Sequence, residues 1–302
     1  MQKLTSQTLR GFIPSIVTPF TAQGEIMEDA FVHLVDHMIE IGAEVVCVAG
    51  DNGECWGLTL DEHQRLVQLA VERARKPVPV VMGFFAATTA QSIAYGKAAQ
   101  GAGASGVLMT PQTAVLRASR DELLRRYEAF SRAVNLPIVA YNSSRRASFE
   151  LSLSDLDALV QVAPIIGIKE SSRDFFHHTH LIERFSKRIS VLVGPSHYIL
   201  PAAALGAQGF VATGPELLGK TVGRLIQVGR EKPGAEYVEI HRKITLLYEV
   251  LMGVGTWPSS FKAALNLLGL SAGMPRDPIL ALEGPEFRKV EDALKACELL
   301  PR

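Results

Sequence analysis

The chain reads as an α/β protein, a (β/α)8 TIM barrel with a C-terminal helical extension, and three observations carry that expectation. Eight short apolar runs rich in β-branched residues alternate with longer amphipathic stretches, the pattern of parallel strands joined by crossover helices. The runs show little polar alternation, as strands buried on both faces should. The alternation fills residues 1–232, close to the roughly 250 residues of a closed barrel. A doubly wound open sheet shares the local pattern, and the count of eight favours closure.

In chain order, strands are expected at 12–17, 44–49, 78–83, 106–110, 137–141, 165–169, 190–194 and 209–213. Helices are expected between and after them at 28–41, 60–75, 90–100, 120–134, 154–162, 175–186, 197–205 and 216–230. Two helices carry capping-box signals, Thr59 with Glu62 and Ser119 with Glu122, in which a hydroxyl and a carboxylate satisfy the first free N–H groups. After Lys232-Pro233-Gly234 the strands stop, and helices at 235–252, 259–268 and 284–299 form a three-helix extension over residues 233–302. The barrel at 1–232 is the expected catalytic domain.

With 31 basic and 31 acidic side chains among 302 residues, the chain has no general attraction to nucleic acid or an anionic membrane. Anion recognition must come from a few placed groups. Cys47, Cys55 and Cys297 are too few and scattered for a disulfide framework or zinc site. Cys47 reads as a core residue, and Cys55, after a loop, as partly exposed. Residues 1–10 lack the apolar core of a signal peptide, and no apolar run reaches a membrane span; a cytoplasmic protein is expected. Gly101-Ala102-Gly103-Ala104-Ser105-Gly106 matches G-x-G-x-x-G, but a helix precedes it and a strand follows. A dinucleotide site needs the reverse order, so these glycines read as a turn.

Barrel chemistry sits at the C-terminal ends of strands. There the sequence places Thr18-Pro19, Gly50-Asp51-Asn52-Gly53-Glu54, Phe84-Phe85, Thr110-Pro111, Tyr141-Asn142, Lys169-Glu170, Gly194-Pro195 and Thr213-Gly214. Lys169 ends an apolar strand, where desolvation lowers an amine's pKa toward the 7–8 of catalytic lysines. A neutral amine can attack a ketone, and the resulting iminium is an electron sink. The bland alternative is a salt bridge with Glu170, although adjacent strand residues point to opposite faces. Tyr141 ends the neighbouring strand, where it can shuttle protons or simply pack at the rim. The Gly50–Glu54 segment is either a carboxylate-binding nest or a plain turn. Thr213 joins the substrate-binding candidates.

Gly50-x-x-Gly53-Glu54, Tyr141-Asn142 and Gly167-Ile168-Lys169-Glu170, with Leu58-Thr59-x-x-Glu62, Gly11 and Thr18-Pro19-Phe20, resemble the dihydrodipicolinate synthase / N-acetylneuraminate lyase family over essentially the whole chain. The resemblance implies a class I enzyme that forms a lysine Schiff base with pyruvate or another 2-keto acid. It implies no metal or organic cofactor, and a homo-oligomer, tetramer or dimer. Carried over by position, Lys169 is the Schiff-base residue and Tyr141 the proton-transfer residue. Asp51 and Asn52, with their amides, meet the keto-acid carboxylate, and Arg146 meets that of a second substrate. Three departures stand out. The family commonly has hydroxyl residues where this chain has Asp51 and Asn52. It carries a tyrosine after Thr110-Pro111, where this chain has Gln112-Thr113-Ala114. It has a proline after the Tyr-Asn pair, where this chain has Ser143-Ser144-Arg145-Arg146. Asn52 can still donate to a carboxylate; an ionised Asp51 would repel one and instead orients Tyr141 or meets a substrate hydroxyl or ammonium.

The expected function is therefore a lyase or aldolase, or a dehydratase, acting on a sugar-derived or amino-acid-derived 2-keto acid. The alternatives are a genuine 4-hydroxy-tetrahydrodipicolinate synthase, a non-catalytic 2-keto-acid sensor, and a phosphate-handling isomerase, for which Gly194-Pro195 and Thr213-Gly214-Pro215 are only a faint phosphate site. His177 and His180 share a helix face but lack the third and fourth ligands of a metal centre, so they read as surface or interface packing. Trp56 and Trp257 read as packing anchors, and Phe84-Phe85 as one core and one rim ring.

Overall fold

Eight parallel strands pair in the order β1-β8-β7-β6-β5-β4-β3-β2 in a computed structural model that describes residues 4–74, 78–112, 117–147 and 150–301. They are β1 (Gly11–Phe12), β2 (Val46–Val48), β3 (Val80–Phe84), β4 (Gly106–Met109), β5 (Ile138–Asn142), β6 (Ile165–Glu170), β7 (Ser190–Val193) and β8 (Gly209–Phe210). The seam between β1 and β2 is closed by the chain just after β1. Glu44 N donates to Phe12 O, Cys47 N to Pro14 O and Ile16 N to Cys47 O, each at 2.9 Å. The sheet is a barrel.

Between the strands run α1 (Glu28–Glu40), α2 (Leu60–Arg73), α3 (Thr89–Gly101), α4 (Arg120–Ala133), α5 (Leu153–Val162), α6 (Phe175–Phe185), α7 (Ile199–Ala204) and α8 (Leu225–Arg230). Both expected capping boxes are present. The regular ladder of β1 covers only the start of the predicted 12–17, because Pro14 has no N–H to give. The predicted helix 197–205 begins as a 3-10 turn, Ser196–Tyr198. The predicted helix 216–230 is a 3-10 segment, Pro215–Arg224, broken at Gly219 before α8 starts. Arg75, the predicted end of α2, lies outside the described residues. The Gly101–Gly106 run is the α3-to-β4 turn, as its context required.

Strand alternation sorts the side chains into two cores. Val45, Cys47, Val81, Leu108, Val139, Tyr141, Leu192 and Val211 point inward and form the barrel interior. Val46, Val48, Val80, Met82, Val107, Ile138, Ile168, Val191 and Val193 point outward to the helices. Leu4 and Leu9 join the interior cluster from the segment before β1. Leu9 fits over Gly167, where an added Cβ would lie 2.5 Å from its Cδ2 and 2.9 Å from Ser190 O. Ser190 Oγ donates to Leu9 O at 2.5 Å, fixing this plug.

The extension is α9 (Ala235–Gly253), α10 (Ser259–Leu267) and α11 (Gly284–Ala296). Ile240, Ile244, Leu247, Leu251, Phe261 and Leu294 belong to the same apolar cluster as the outward barrel residues, so the extension shares the barrel's core. It is also tied to the mouth by charge. Lys262 on α10, 1% exposed, lies 2.5 Å from Glu54 Oε1 and donates to the carbonyls of Thr18 and Met274 at 2.7 Å. Arg276 donates its backbone N–H to Glu54 Oε2 at 2.9 Å and its guanidinium to Gly24 O, Gly57 O and Glu62.

Two stability measurements check these contacts. Gly167→Ala overpacks the plug and is expected to lower unfolding free energy by about 1–3 kcal/mol, read from the shift of the urea midpoint. Lys262→Ala leaves the Glu54 carboxylate buried without its cation and is expected to cost about 3–5 kcal/mol in the same assay.

Candidate active site

The register of β5 on β6 pairs Tyr141 with Lys169 and Asn142 with Glu170. Period-two alternation then sends the first pair into the barrel and the second pair outward. Lys169, 5% exposed, holds its Nζ 4.3 Å from the centre of the Tyr141 ring. Burial pushes its pKa below that of an ordinary lysine, and the charge of Asp51 partly opposes the shift. The salt bridge to Glu170 does not form. The Glu170 carboxylate, fully buried on the far side, accepts from Asn142 Nδ2 at 2.7 Å and Ser172 N at 2.6 Å, with His177 Nε2 3.4 Å away.

Tyr141 donates its phenol to Asp51 Oδ2 at 3.3 Å. Burial, reinforced by the Asp51 charge, pushes its pKa up, and the hydroxyls of Ser143 and Ser171 face the phenol and oppose that rise. The same Asp51 Oδ2 accepts from Arg146 Nε at 2.9 Å. Asp51 Oδ1 is buried without a hydrogen-bond partner among the described residues. Lys169, Tyr141, Asp51 and Arg146 therefore form one contiguous polar cluster, which sequence separation alone does not reveal.

Asp51 and Asn52 reach this cluster because their turn lies flat against β3. A Cβ on Gly83 would stand 2.6 Å from Gly50 Cα, so close an approach requires glycine. Thr18 Oγ1 donates to Gly53 O at 2.8 Å, and Glu54 is pinned by Lys262. The left-handed residues of the turn are Ala49 (φ 50°) and Glu54 (φ 58°), not its glycines, so strain sits at both ends of the segment. Asn52 donates its amide to Ser15 O at 3.0 Å and Thr213 Oγ1 at 2.9 Å. Its side-chain N–H groups are thus engaged within the protein. The Thr213 hydroxyl donates back to Asn52 Oδ1 at 3.3 Å, and the backbone N–H groups of Asp51 and Asn52 have no acceptor among the described residues.

All six sequence-chosen residues, Lys169, Tyr141, Asp51, Asn52, Arg146 and Thr213, line one cavity at the C-terminal mouth. Several others line it unforeseen. Ser143 and Ser171 follow Tyr141 and Lys169 by two, the strand period that would have flagged them. Arg173 comes from the loop before α6, and Tyr248, Met252 and Trp257 come from the extension; no spacing signal connects that wall to the barrel. Trp56, 41% exposed, is more than a packing anchor. It stacks on Phe85 at 6.5 Å, Phe85 stacks on Tyr141 at 6.4 Å, and the Arg146 guanidinium lies 5.3 Å above the indole.

Cys55 is buried at 4% exposure, contrary to the sequence expectation, because its 3-10 turn folds under the site; burial pushes its thiol pKa well up. Thr113 and Ala114, part of the run without an aromatic, lie outside the described residues. Among the described residues no three His, Cys, Asp or Glu side chains gather to hold a metal. His177 faces Glu170, and His180 meets the Phe176 ring edge-on at 4.5 Å. No helix among the described residues is long and apolar enough to cross a membrane.

Comparison with known proteins agrees with this architecture from end to end. The model described as the dihydrodipicolinate synthetase family matches residues 8–297. The 4-hydroxy-tetrahydrodipicolinate synthase of Oceanobacillus iheyensis is 28% identical over 286 residues, 95% of this chain and 96% of that one. The 4-hydroxy-tetrahydrodipicolinate synthase 1 of Halalkalibacterium halodurans is 30% identical over 283 residues, 93% and 95% of the two chains. The crystal structure of dihydrodipicolinate synthase from Acinetobacter baumannii complexed with pyruvate superposes with a TM-score of 0.90 at 26% identity, covering 97% of this chain and 100% of that one.

An amine reacts with cyanate when neutral. Because desolvation holds Lys169 low, its carbamylation, mapped by peptide mass spectrometry across pH, should persist to lower pH than that of exposed lysines with their usual pKa near 10.4.

Proposed function

The chain belongs to the dihydrodipicolinate synthetase family, and from that premise we propose that it is a Schiff-base lyase or aldolase acting on pyruvate or another 2-keto acid. The observation that carries the reading is the desolvated Lys169 amine set against the Tyr141 phenol inside the barrel mouth. Neutral Lys169 attacks the C2 ketone. Tyr141 returns a proton to the carbinolamine oxygen, water leaves, and the iminium draws electrons from C3. The backbone N–H groups of Asp51 and Asn52 and the Thr213 hydroxyl hold the keto-acid carboxylate. The names of the relatives and the pyruvate bound by the Acinetobacter baumannii enzyme support this class of chemistry. Residues 1–232 carry the reaction, and 233–302 build one wall of its pocket.

Synthesis of 4-hydroxy-tetrahydrodipicolinate is the second reading, favoured by the relatives' names. Against it stands the pairing of Arg146 with Asp51, which engages the cation expected to hold a second substrate's carboxylate. We therefore place the native substrate among other 2-keto acids, sugar-derived or amino-acid-derived, with cleavage, condensation and dehydration all within reach of the iminium. We also propose a cytoplasmic homo-oligomer, tetramer or dimer. Phe176, 72% exposed, and Leu205, 51% exposed, are the kind of apolar surface such contacts cover.

Incubation with pyruvate and sodium borohydride should add a reduced pyruvyl group to Lys169, seen as a mass increase on its peptide. No adduct with pyruvate or a panel of other 2-keto acids would reject the reading. An adduct without turnover of any 2-keto acid would favour the sensor. Tyr141→Phe should slow adduct formation by roughly 10²–10⁴-fold, the usual contribution of a positioned proton-transfer group.

A further inference from the structure

The cavity above Lys169 carries more positive charge than a simple keto acid can answer. Its described lining holds three guanidiniums, Arg145, Arg146 and Arg173, and one carboxylate, Asp51. Arg146 is paired with Asp51 at 2.9 Å, and burial draws Lys169 toward its neutral form. Arg145 and Arg173 are left over. Both are exposed where they line the mouth, and neither guanidinium has an ion-pair or hydrogen-bond partner among the described residues. Asp174, next in the chain to Arg173, is occupied in capping α6, where it accepts from His177 N at 3.2 Å. One keto-acid carboxylate offsets one of the two charges, and formation of an iminium adds a positive charge back.

Topology gives this surplus charge a direction. Arg145 and Arg173 each stand four residues beyond a cavity side chain, Tyr141 on β5 and Lys169 on β6. In the closed ring β5 lies across from β1, whereas β2, which leads into the Asp51-Asn52 turn, lies beside β1. A keto-acid carboxylate on the backbone N–H groups of that turn therefore lies toward one side of the mouth, and the two arginines toward the other. Both arginine loops are held. Arg146 N and Ala147 N donate to Ser143 O at 3.1 and 2.9 Å, which folds the Arg145 loop into a tight turn. Tyr198 Oη donates to Arg173 O at 2.9 Å. Met252 and Trp257 line the same cavity and offer apolar wall to a carbon chain.

We propose that the molecule bonded to Lys169 carries a second anionic group, a carboxylate or a phosphate, at the end away from its keto group, and that Arg145 and Arg173 bind it. The inference rests on the Schiff-base reading above and names its substrate class, a 2-keto acid with an acidic terminus. A guanidinium presents paired N–H groups that match the oxygens of either anion. The two arginines touch no reacting atom; they set specificity through binding. Their task differs from that of Arg146, whose charge is already answered by Asp51. Because both side chains are exposed, the attraction is screened by added salt.

Borohydride trapping on Lys169, followed as the keto-acid concentration that gives half-maximal adduct, reads this subsite with acids compared at equal chain length. For a carboxylate terminus the pairs are 2-oxoglutarate with 2-oxopentanoate and 2-oxoadipate with 2-oxohexanoate. For a phosphate terminus the pair is 2-keto-3-deoxygluconate with and without a 6-phosphate. In at least one of the two series the acidic member should trap at a concentration roughly 10–100-fold lower, the usual worth of hydrogen bonds to a charged group, and the series that shows it identifies the anion. Added sodium chloride should shrink the difference. The double variant Arg145→Gln/Arg173→Gln should abolish the preference, while half-trapping by pyruvate, which has no distal group, moves by less than about threefold, as expected on removing exposed charges. The inference is overturned if neither series shows a preference in the wild type, if the preference survives in the double variant, or if trapping of pyruvate weakens in the same proportion as that of the acidic chains. These outcomes all require that the wild type trap pyruvate. A wild type that traps no keto acid at all marks the failure of the Schiff-base reading, and this inference falls with it.

Discussion

Everything in the mouth of this barrel depends on one costly placement, an amine buried against an aromatic face at the inner end of a closed sheet. The cost follows from removing an ammonium from water, and the fold meets it by surrounding Lys169 with few charges of known position. The anion near it is Asp51, which is itself engaged by Arg146. The amine is thus drawn toward neutrality by its surroundings, while a neighbouring carboxylate keeps it from being an ordinary apolar group. Parallel pairing supplies the geometry at no further cost, since the β5–β6 register alone sets Tyr141 opposite Lys169.

The same register has a second effect on the outer side of the sheet. Asn142 and Glu170 are the next pair along, and their side chains bond to each other at 2.7 Å beneath α6. Asn142 also accepts from Leu151 N at 2.8 Å through Oδ1, and His178 Nε2 lies 3.2 Å from Glu170 O. The two strand ends that present Tyr141 and Lys169 are therefore clamped from behind. A mouth built on strand termini would otherwise fray. The polar residues of the two short motifs act as a pair of faces, one chemical and one structural.

The fold was legible in the sequence because its signals are local. Apolar runs, helix periodicity and the Thr59 and Ser119 caps each declare themselves within a few residues, and the structure places elements where they were read. The inner site was legible for a related reason, since strand ends at a barrel's C-terminal face converge by topology. What escaped lies at long range. Nothing near Glu54 announces Lys262, and nothing near Tyr141 announces the wall of Tyr248, Met252 and Trp257. The aromatic stack from Trp56 through Phe85 to Tyr141 escaped for the same reason. Asp51 was seen, but its partners had to be measured. Even the extent of β1 and the break at Gly219 were set by proline and glycine acting on hydrogen bonding rather than by apolar pattern.

The buried pair of Glu54 and Lys262 also imposes an order in time. The loop that carries Asp51 and Asn52 leaves the ribosome long before its anchor, and the backbone bond from Arg276 to Glu54 spans 222 positions. Contacts that distant form late, after nearer ones have reduced the entropy of closing the loop. A nascent chain can build most of its barrel while Glu54 still waits for a cation. The reactive cluster is then completed only after α10 and Arg276 have been made and have folded back over the mouth. A reactive amine would stay disarmed until that distant anchor is in place.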